Sequence, residues 1–322
     1  MSAKLLFILD PLDEVKTYKD STYAMMLEAS QRGHRIFACE QHELSFEGGQ
    51  ALAVARELTI EQGADPWYRA ADAAQGPLTR FDAVLMRKDP PFDMEYVYST
   101  YLLERAVAAG ARVFNDPRAI RDHNEKMAIC EFPQYTAPTL VTRSAAALRR
   151  FVDEHGDAVF KLLDGMGGTS IFRATRGDPN LSVIIETMNL FGARSVMAQK
   201  FLPEIKDGDK RVLLIGGKVV PYCLARVPLA GESRGNLAAG GRGVARPLDE
   251  RDRQIAEGLA PIVWSRGLLL VGLDIIGPSM TELNVTSPTC FQEIRQQTGC
   301  NVAGLFIDAV EGAIHGGAST RA

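Results

Sequence analysis

The sequence predicts an N-terminal α/β domain with a parallel sheet, followed by one or two α+β domains. Two observations predict this organisation. The chain has 322 residues, which is more than one hydrophobic core usually serves and suits two or three compact domains. Apolar runs of strand length alternate with helical patterns in the first third, whereas strands dominate from Leu140 onward.

The composition is that of an ordinary folded protein and excludes several classes. Hydrophobic residues make up 46% and charged residues 24%, so we expect the whole chain to fold apart from a tail at residues 316–320. A net charge of -4 argues against a protein that mainly holds nucleic acid. No apolar run reaches the roughly 18 residues that would cross a membrane. Five cysteines without a C-x-x-C pair favour free thiols in a reducing cytoplasm.

The N-terminal elements are predicted from their apolar periodicity. We expect strands at residues 5–9, 35–39, 83–86 and 112–114, and helices at 21–32 and 95–109. Polar residues follow two of these strands, at Asp10-Pro11 and in residues 86–91, where ligands of open α/β sheets usually bind. Solvated loops would give the same pattern. A domain boundary is expected at residues 115–117, before a helix that begins near Asp122 or Asn124.

The later elements follow the same reasoning. Strands are predicted at residues 158–163, 170–173, 196–201, 211–215, 219–224, 268–276 and 281–285. Helices are predicted at residues 145–154, 180–189, 249–266 and 302–315.

A lysine inside an apolar strand leads directly into a glycine loop, in residues 159–168. Burying an unpaired ammonium is costly, so Lys161 should meet an anion, and glycines let backbone N–H groups approach phosphate oxygens. The pattern matches neither the Walker motif nor the dinucleotide motif. The alternative is a lysine that extends to solvent beside an ordinary turn.

Residues 209–226 read as a β-hairpin that turns at Gly216-Gly217. With a two-residue turn, Arg211 would pair with Tyr222, and Asp209 with Leu224. Asp209, Arg211 and Arg226 would then share one face. Two arginines on one face of an otherwise apolar hairpin favour an anionic ligand over a solvated surface.

A long glycine-rich segment follows, from Val227 to Gly243. Loops of this length are usually functional lids or disordered linkers. A linker would not need Arg234, Asn236 and Arg242 among small apolar residues, so the composition favours a lid that excludes water.

Residues 273–285 read as two strands joined by a tight turn. If residues 277–279 form a three-residue loop, Ile276 faces Met280, and Asp274 faces Glu282, with Asn284 on the same face. Opposed carboxylates need a cation between them, and oxygen ligands suit magnesium. An exposed acidic strand or a one-residue slip in register would remove this site.

The sequence that carries these motifs resembles the bacterial glutathione synthetases, a family of the ATP-grasp superfamily. The resemblance runs over nearly the whole chain and lies in residues 86–93, 164–168, 206–211, 234–243 and 282–289. It implies an ATP-grasp fold with an N-terminal Rossmann-like parallel-sheet domain at 1–122, a central domain at 123–202, and a catalytic domain at 203–322 with a mobile loop at 227–242.

The resemblance also implies roles for individual residues. Lys126 and Lys161 would contact the ATP phosphates, with Gly165, Gly167 and Gly168 in the adjoining loop. The backbone of Gln199, Lys200, Phe201 and Leu202 would hold adenine, and Asp209 would also contact the nucleotide. Arg211 and Arg226 would hold the transferring phosphate, with Arg234 and Asn236 from the lid. Asp274, Glu282 and Asn284 would bind magnesium, for which manganese could substitute.

The implied reaction joins γ-glutamylcysteine to glycine, with ATP as co-substrate and an acyl phosphate as intermediate. Neither nucleic acid nor membrane is an expected partner, and the family suggests a cytoplasmic homotetramer. Two other readings stay open: another ATP-grasp ligase, of the D-alanine:D-alanine or glutamate-adding type, and a nucleotide-binding protein without catalysis, as in synapsin-like proteins.

Overall fold

The computed structural model describes residues 2–166, 170–229, 235 and 240–316, and its strands form three sheets. The first sheet has the order β3-β4-β2-β1-β7-β8, with β5 and β6 paired to β4. Strands β2, β1, β7 and β8 run parallel, and the remaining pairs are antiparallel. The strands are β1 (Lys4–Ile8), β2 (Arg35–Cys39), β3 (Leu44–Glu47), β4 (Gln50–Ile60), β5 (Tyr68–Ala70), β6 (Ala74–Pro77), β7 (Ala83–Met86) and β8 (Val113–Phe114).

Three helices accompany this sheet: α1 (Ser21–Gln31), α2 (Met94–Ala108) and α3 (Pro117–Asp122). Each begins after an aspartate, and the carboxylates of Asp20, Asp93 and Asp116 accept hydrogen bonds from the first backbone N–H groups. The predicted parallel sheet with its helices is therefore confirmed. The predicted helix near Asn124 is wrong, because α3 ends at Asp122 and only a short 3-10 helix follows, at Met127–Glu131. The Met127 N–H donates to the side-chain oxygen of Asn124.

The second sheet is antiparallel in the order β11-β10-β12-β9. Its strands are β9 (Thr139–Thr142), β10 (Asp157–Leu162), β11 (Phe172–Thr175) and β12 (Val196–Lys200). Helices α4 (Ala145–His155) and α5 (Leu181–Asn189) cover one face, where Phe160 and Ala198 pack in a small core with Leu148 and Ile185. The alternate residues of β10 and β12 therefore point to the opposite face, away from these helices.

The third sheet is antiparallel in the order β15-β14-β13-β16-β17. Its strands are β13 (Asp209–Ile215), β14 (Lys218–Val227), β15 (Arg242–Pro247), β16 (Leu270–Ile276) and β17 (Ser279–Asn284), and the accompanying helices are α6 (Glu250–Ser265), α7 (Phe291–Thr298) and α8 (Val302–His315). Helix α8 has the bounds that its apolar spacing predicts.

The first and third sheets share buried cores. One core contains Phe7 of β1, Leu213 of β13 and Phe291 of α7. The side chain of Asn115 adds a polar link, because its Nδ2 donates to the carbonyls of Leu270 and Val285 and its Oδ1 accepts from the Leu270 N–H. These contacts fix the end of β8 relative to the hairpin of β16 and β17.

The register of the β13–β14 hairpin differs from the prediction. The predicted glycine turn is present, but an irregularity in the ladder shifts the pairing beyond it by two residues. Arg211 therefore lies opposite Leu224 rather than Tyr222, and Asp209 lies opposite Arg226. Because two is an even number, the three charged side chains still share one face.

The turn between β16 and β17 also differs. It consists of residues 277–278 alone, so Met280 does not face Ile276 as predicted. A bulge beside Asp274 restores the predicted pairing of Asp274 with Glu282. The predicted loop of residues 227–243 is shorter than expected, because its two ends pair as strands β14 and β15.

Two further expectations concern cysteines and membranes. All five cysteines are free, which confirms the absence of a disulfide framework. None of the helices in the described part of the chain is both long and apolar enough to cross a membrane.

Candidate active site

A cavity of about 310 Å³ lies between the second and third sheets and is bordered by the loop that follows β7. Most of the site residues predicted from the sequence line this cavity, as far as they lie in the described part of the chain. These are Lys126, Lys161, Gly165, Gln199, Lys200, Phe201, Leu202, Asp209, Arg211, Arg226, Asp274, Glu282 and Asn284. Residues more than 150 positions apart thus meet in one place.

Lys161 reaches the cavity because of the alternation along β10. Phe160 points to the helices, so Val159 and Lys161 point the other way, beside Gln199 and Met197 of the paired strand β12. The ammonium of Lys161 is buried and lies 3.9 Å from Glu282. Burial lowers the pKa of Lys161, although the charge of Glu282 opposes this effect. A buried ammonium with such a distant counter-ion is suited to receive an anion.

Lys126 lies close to Lys161 although the two are far apart in sequence. The side-chain oxygen of Asn124 accepts from the Lys126 N–H in a tight turn. The side chain of Lys126 lies in the cavity wall, where its Nζ donates to the Gly165 carbonyl at 2.6 Å. The same Nζ lies 3.5 Å from Glu282. Two ammonium groups therefore converge on one carboxylate at the glycine loop.

The arginines and aspartates of the third sheet form a buried charge cluster. Arg226 donates to Asp209 at 2.6 Å and lies 2.8 Å from Asp274. Arg211 donates to Asp274 at 2.6 Å. The cluster arises from the register described above, which places Asp209 opposite Arg226 and Arg211 opposite Asp274.

Burial and the neighbouring charges shift the pKa values of Asp209 and Asp274 in opposite directions. Burial raises the pKa of Asp209 to about 6, although Arg226 opposes this effect, and the neighbouring acidic groups add to it. Burial also acts to raise the pKa of Asp274, but Arg211 and Arg226 outweigh it and hold that pKa below its usual range. Within the described residues, the Oδ1 atom of Asp209 accepts no hydrogen bond, so it is available to a ligand.

Asp274, Glu282 and Asn284 form a donor set that fits magnesium. The two carboxylates lie on directly opposed residues of β16 and β17. The amide of Asn284 donates through Nδ2 to the Gly272 carbonyl at 3.2 Å, which leaves its oxygen free to ligate. Two carboxylate groups and an amide oxygen are hard ligands of the kind that Mg²⁺ prefers. Among the described residues, no cluster of three or more His, Cys, Asp or Glu offers another metal site.

Residues 199–202 form one end of the cavity. Gln199 is the last buried residue of β12. The guanidinium carbon of Arg173 lies over the Phe201 ring, 3.6 Å from its centroid. The backbone N–H of Phe201 donates to Asp157, whereas the N–H of Leu202 makes no hydrogen bond within the described residues. This end therefore offers an unused backbone donor beside apolar side chains.

The sequence did not single out several cavity residues. Glu125 is partly buried and accepts a hydrogen bond from Thr286 at 2.8 Å. Burial raises the pKa of Glu125. Ser287 donates to Asp89, which places the predicted ligand-binding end of β7 on the cavity wall. Asp89 and Ser287 lie in stretches that carried the family resemblance, but an acid or a hydroxyl in a loop gave no separate signal.

Four predicted residues lie outside the described part of the chain: Gly167, Gly168, Arg234 and Asn236. Gly235 is described, and it lies against the backbone of Arg226. A Cβ atom on Gly235 would come within 2.3 Å of the Arg226 carbonyl oxygen and within 3.3 Å of Asp209 Cβ. Only glycine fits at this position of the predicted lid.

Comparisons with known proteins agree on one family. The family model described as prokaryotic glutathione synthetase, N-terminal domain, matches residues 3–121, and the model described as prokaryotic glutathione synthetase, ATP-grasp domain, matches residues 125–299. Glutathione synthetase of Ralstonia nicotianae is 61% identical over 310 residues, which are 96% of this chain and 96% of that protein.

Solved structures agree on the fold. The crystal structure of D-cycloserine synthetase DcsG has a TM-score of 0.68 at 17% identity and covers 96% of this chain and 99% of its own. The ATP-grasp ligase PsnB, complexed with a precursor peptide and AMPPNP, has a TM-score of 0.63 at 18% identity and covers 97% and 98%. At such low identity these two structures bear on the fold alone, which is the ATP-grasp fold.

Proposed function

This chain belongs to the prokaryotic glutathione synthetase family, and from that premise we propose how its residues carry out the reaction. Members of this family are ATP-dependent ligases, and the chain is a glutathione synthetase that joins γ-glutamylcysteine to glycine. ATP is converted to ADP and phosphate in the process. The assignments of individual residues below are our proposal.

The convergence of Lys126, Lys161, Arg211 and Arg226 on one cavity is the observation that carries the proposal. Four cations in a buried site suit a polyphosphate and a carboxylate that approach each other. In the proposed arrangement the adenine lies at residues 199–202, the two lysines hold the phosphates, and the arginines face the carboxylate of γ-glutamylcysteine.

A carboxylate is a poor electrophile, so we propose that it first accepts the γ-phosphoryl group of ATP. Arg211 and Arg226 would stabilise the negative charge that develops in this transfer. The resulting acyl phosphate would then be attacked by the amine of glycine. Water would hydrolyse this intermediate, so the proposed role of the lid is to exclude water from the cavity. No protein nucleophile is required.

Asp274, Glu282 and Asn284 would hold the divalent metal, magnesium in our proposal, with manganese as a substitute. When bound, the metal would neutralise phosphate charge. Before it binds, Arg211 and Arg226 neutralise Asp274, and Lys126 and Lys161 lie near Glu282. The protein's own cations therefore keep the acidic residues compatible with burial in the empty site.

We propose that the three sheets correspond to domains 1–122, 123–202 and 203–322, with the loop at 227–242 as the lid. We propose that the protein forms a homotetramer and that it is located in the cytoplasm. Sedimentation equilibrium of the purified protein tests the tetramer, and a stable monomer would contradict it.

The reaction itself is tested by ADP release with defined substrate pairs. We expect turnover with γ-glutamylcysteine plus glycine and no comparable turnover with D-alanine pairs or with glutamate as the added group. Turnover with only those other pairs would indicate another ATP-grasp ligase. Binding of ATP without any turnover would indicate a protein that has lost catalysis.

A further inference from the structure

Helix α2 has two apolar faces, and the first sheet covers only one of them. Tyr96 and Leu103 on the covered face are fully buried in the core. On the opposite face Met94, Tyr98 and Tyr101 are 57%, 52% and 51% exposed. A helix that is apolar on both sides is normally buried on both sides. The exposed face of α2 is therefore expected to pack against a partner.

The exposed face also has the spacing of a contact between helices. Its exposed residues are separated by steps of four, three, four and three positions: Met94, Tyr98, Tyr101, Arg105 and Ala108. Alternating steps of three and four residues form the seam along which two helices pair. The row extends over the whole of α2, which is about 21 Å long at 1.5 Å per residue.

Tyr101 is held in one orientation although it is half exposed. The guanidinium carbon of Arg121 lies over its ring, 4.2 Å from the centroid. Arg121 is fixed in turn, because it donates to Thr100 and Glu104. An aromatic side chain that is ordered in advance loses little entropy when a partner binds, and such side chains are common anchors of protein interfaces.

The apolar surface continues onto the edge strand β3. Helix α2 packs against β3, and Leu44 of this strand belongs to the same core as Leu103. Phe46 is two residues beyond Leu44, so it lies on the same face of the sheet. Phe46 is 50% exposed. The row on α2 therefore has an apolar neighbour, which enlarges the surface that a partner could cover.

The charges near the two ends of the row identify a second copy of this chain as the partner. Glu95 and Arg105 are exposed in the first and last turns of α2. In an antiparallel pair with a two-fold axis between Tyr98 and Tyr101, Glu95 of each copy lies level with Arg105 of the other to within about 1.5 Å, the rise of one residue. A parallel pair would oppose like charges and would align the two helix dipoles.

We propose that α2 forms a self-complementary interface with α2 of a second copy, antiparallel to it and related by a two-fold axis between Tyr98 and Tyr101. This inference rests on the proposed homotetramer. A tetramer with dihedral two-fold symmetry contains more than one kind of two-fold interface. The α2 face is one of these, so its loss should leave dimers.

Tyr98→Lys tests the interface, because it places a charge from each copy at the centre of the row. By sedimentation equilibrium we expect a tetramer for the unmodified protein and a dimer for Tyr98→Lys, with circular dichroism confirming that the variant folds. Phe191→Lys is the matched control, since Phe191 is 86% exposed but follows α5, and this variant should stay tetrameric. A Tyr98→Lys protein with unchanged mass would overturn the inference and leave this face to a different partner.

Glu95→Arg and Arg105→Glu test the antiparallel arrangement. Each single exchange brings like charges together at two symmetric places, so the dimer–tetramer dissociation constant should rise at least about tenfold. The double variant restores opposite charges and should restore the constant. In a parallel pair the single exchanges would only replace one pair of like charges by another. Single variants that associate like the unmodified protein would therefore overturn the antiparallel arrangement.

The mass of the unmodified protein separates failure of this inference from failure of the proposed tetramer. A stable monomer would contradict both. A dimer that Tyr98→Lys converts into monomers would contradict the tetramer and support the α2 interface. A tetramer that Tyr98→Lys leaves intact would overturn the α2 interface alone.

Discussion

The guanidinium of Arg226 lies 2.8 Å from the carboxylate of Asp274, so the proposed phosphate-binding residue and the proposed metal ligand contact each other in the buried cluster. Each also binds a further group, because Arg226 donates to Asp209 and Asp274 accepts from Arg211. The arginines therefore hold Asp274 ionised when no metal is bound. Substrate phosphate and metal would replace these contacts together.

The first prediction concerns Arg226. Arg226→Ala should lower kcat by about 100-fold or more, because a buried group that stabilises transition-state charge is typically worth a few kcal/mol. The KM for ATP should change by less than about threefold, since the lysines and residues 199–202 would still bind the nucleotide. The measurement is steady-state ADP release. Arg253→Ala, at an exposed position of α6, is the control, and equal activity of the two variants would contradict the role of Arg226.

The second prediction concerns the metal ligands. Glu282→Gln should raise the magnesium concentration needed for half-maximal activity by at least about tenfold, because a carboxylate ligand is exchanged for a neutral one. Chelation should abolish turnover of the unmodified enzyme, and added magnesium or manganese should restore it. Glu57→Gln, which removes an exposed partner of Arg35 far from the cavity, should titrate normally. A Glu282 variant with an unchanged magnesium curve would exclude this residue as a ligand.

Much of this arrangement could be predicted from the sequence, because strand alternation is a local property. The faces of Asp209, Arg211 and Arg226 were predicted correctly although their cross-strand partners were not. The reason is that a shift of two residues preserves the face. The opposition of Asp274 and Glu282 was likewise predicted from a wrong turn length, because a bulge compensated for it. A sequence pattern does not reveal such bulges.

Other features depend on contacts between distant segments and could not be predicted. Strand β4 was missed, since its buried residues include small alanines that give a weak strand signal. The orientation of the Gln199 side chain depends on Thr139, sixty residues earlier, whose hydroxyl accepts from the Gln199 amide. This leaves the side-chain carbonyl of Gln199 without a donor among the described residues. Glu125 becomes a cavity residue only because β17 packs against its backbone, where the Leu283 N–H donates to its carbonyl.

The third prediction is that removing the charge of Lys161 stabilises the ligand-free protein but weakens ATP binding. Lys161→Met removes a buried charge whose counter-ion is 3.9 Å away. Lys126 remains as a counter-ion of Glu282 at 3.5 Å, so we expect the ligand-free protein to gain about 1 to 3 kcal/mol of unfolding free energy. The KM for ATP should rise at least about tenfold, because a phosphate contact is lost. Denaturant unfolding and steady-state kinetics measure the two effects. A variant that loses stability and keeps its KM would show that Lys161 serves the fold.

The fourth prediction concerns the link between the first and third sheets. Asn115→Ala removes three hydrogen bonds and leaves the carbonyls of Leu270 and Val285 and one N–H group buried without this partner. The expected loss is about 3 kcal/mol of unfolding free energy. Asn180→Ala is the matched control, since the Asn180 side chain makes no capping bond and is exposed. Equal stability of the two variants in urea unfolding would exclude Asn115 as a structural link.

The fifth prediction concerns Gly235, where the lid meets the charge cluster. Gly235→Ala would place a methyl group 2.3 Å from the Arg226 carbonyl oxygen, a distance that the backbone can relieve only by moving. We expect kcat to fall at least about tenfold, because a displacement of about 1 Å at a reacting group can cost a hundredfold. Gly312→Ala is the control, since a Cβ atom there meets nothing within 4 Å and the helix should become slightly more stable. Because Gly235 contacts the backbone of Arg226, the KM for ATP should change little while kcat falls. A loss of ATP affinity with kcat intact would instead assign this part of the lid to nucleotide binding.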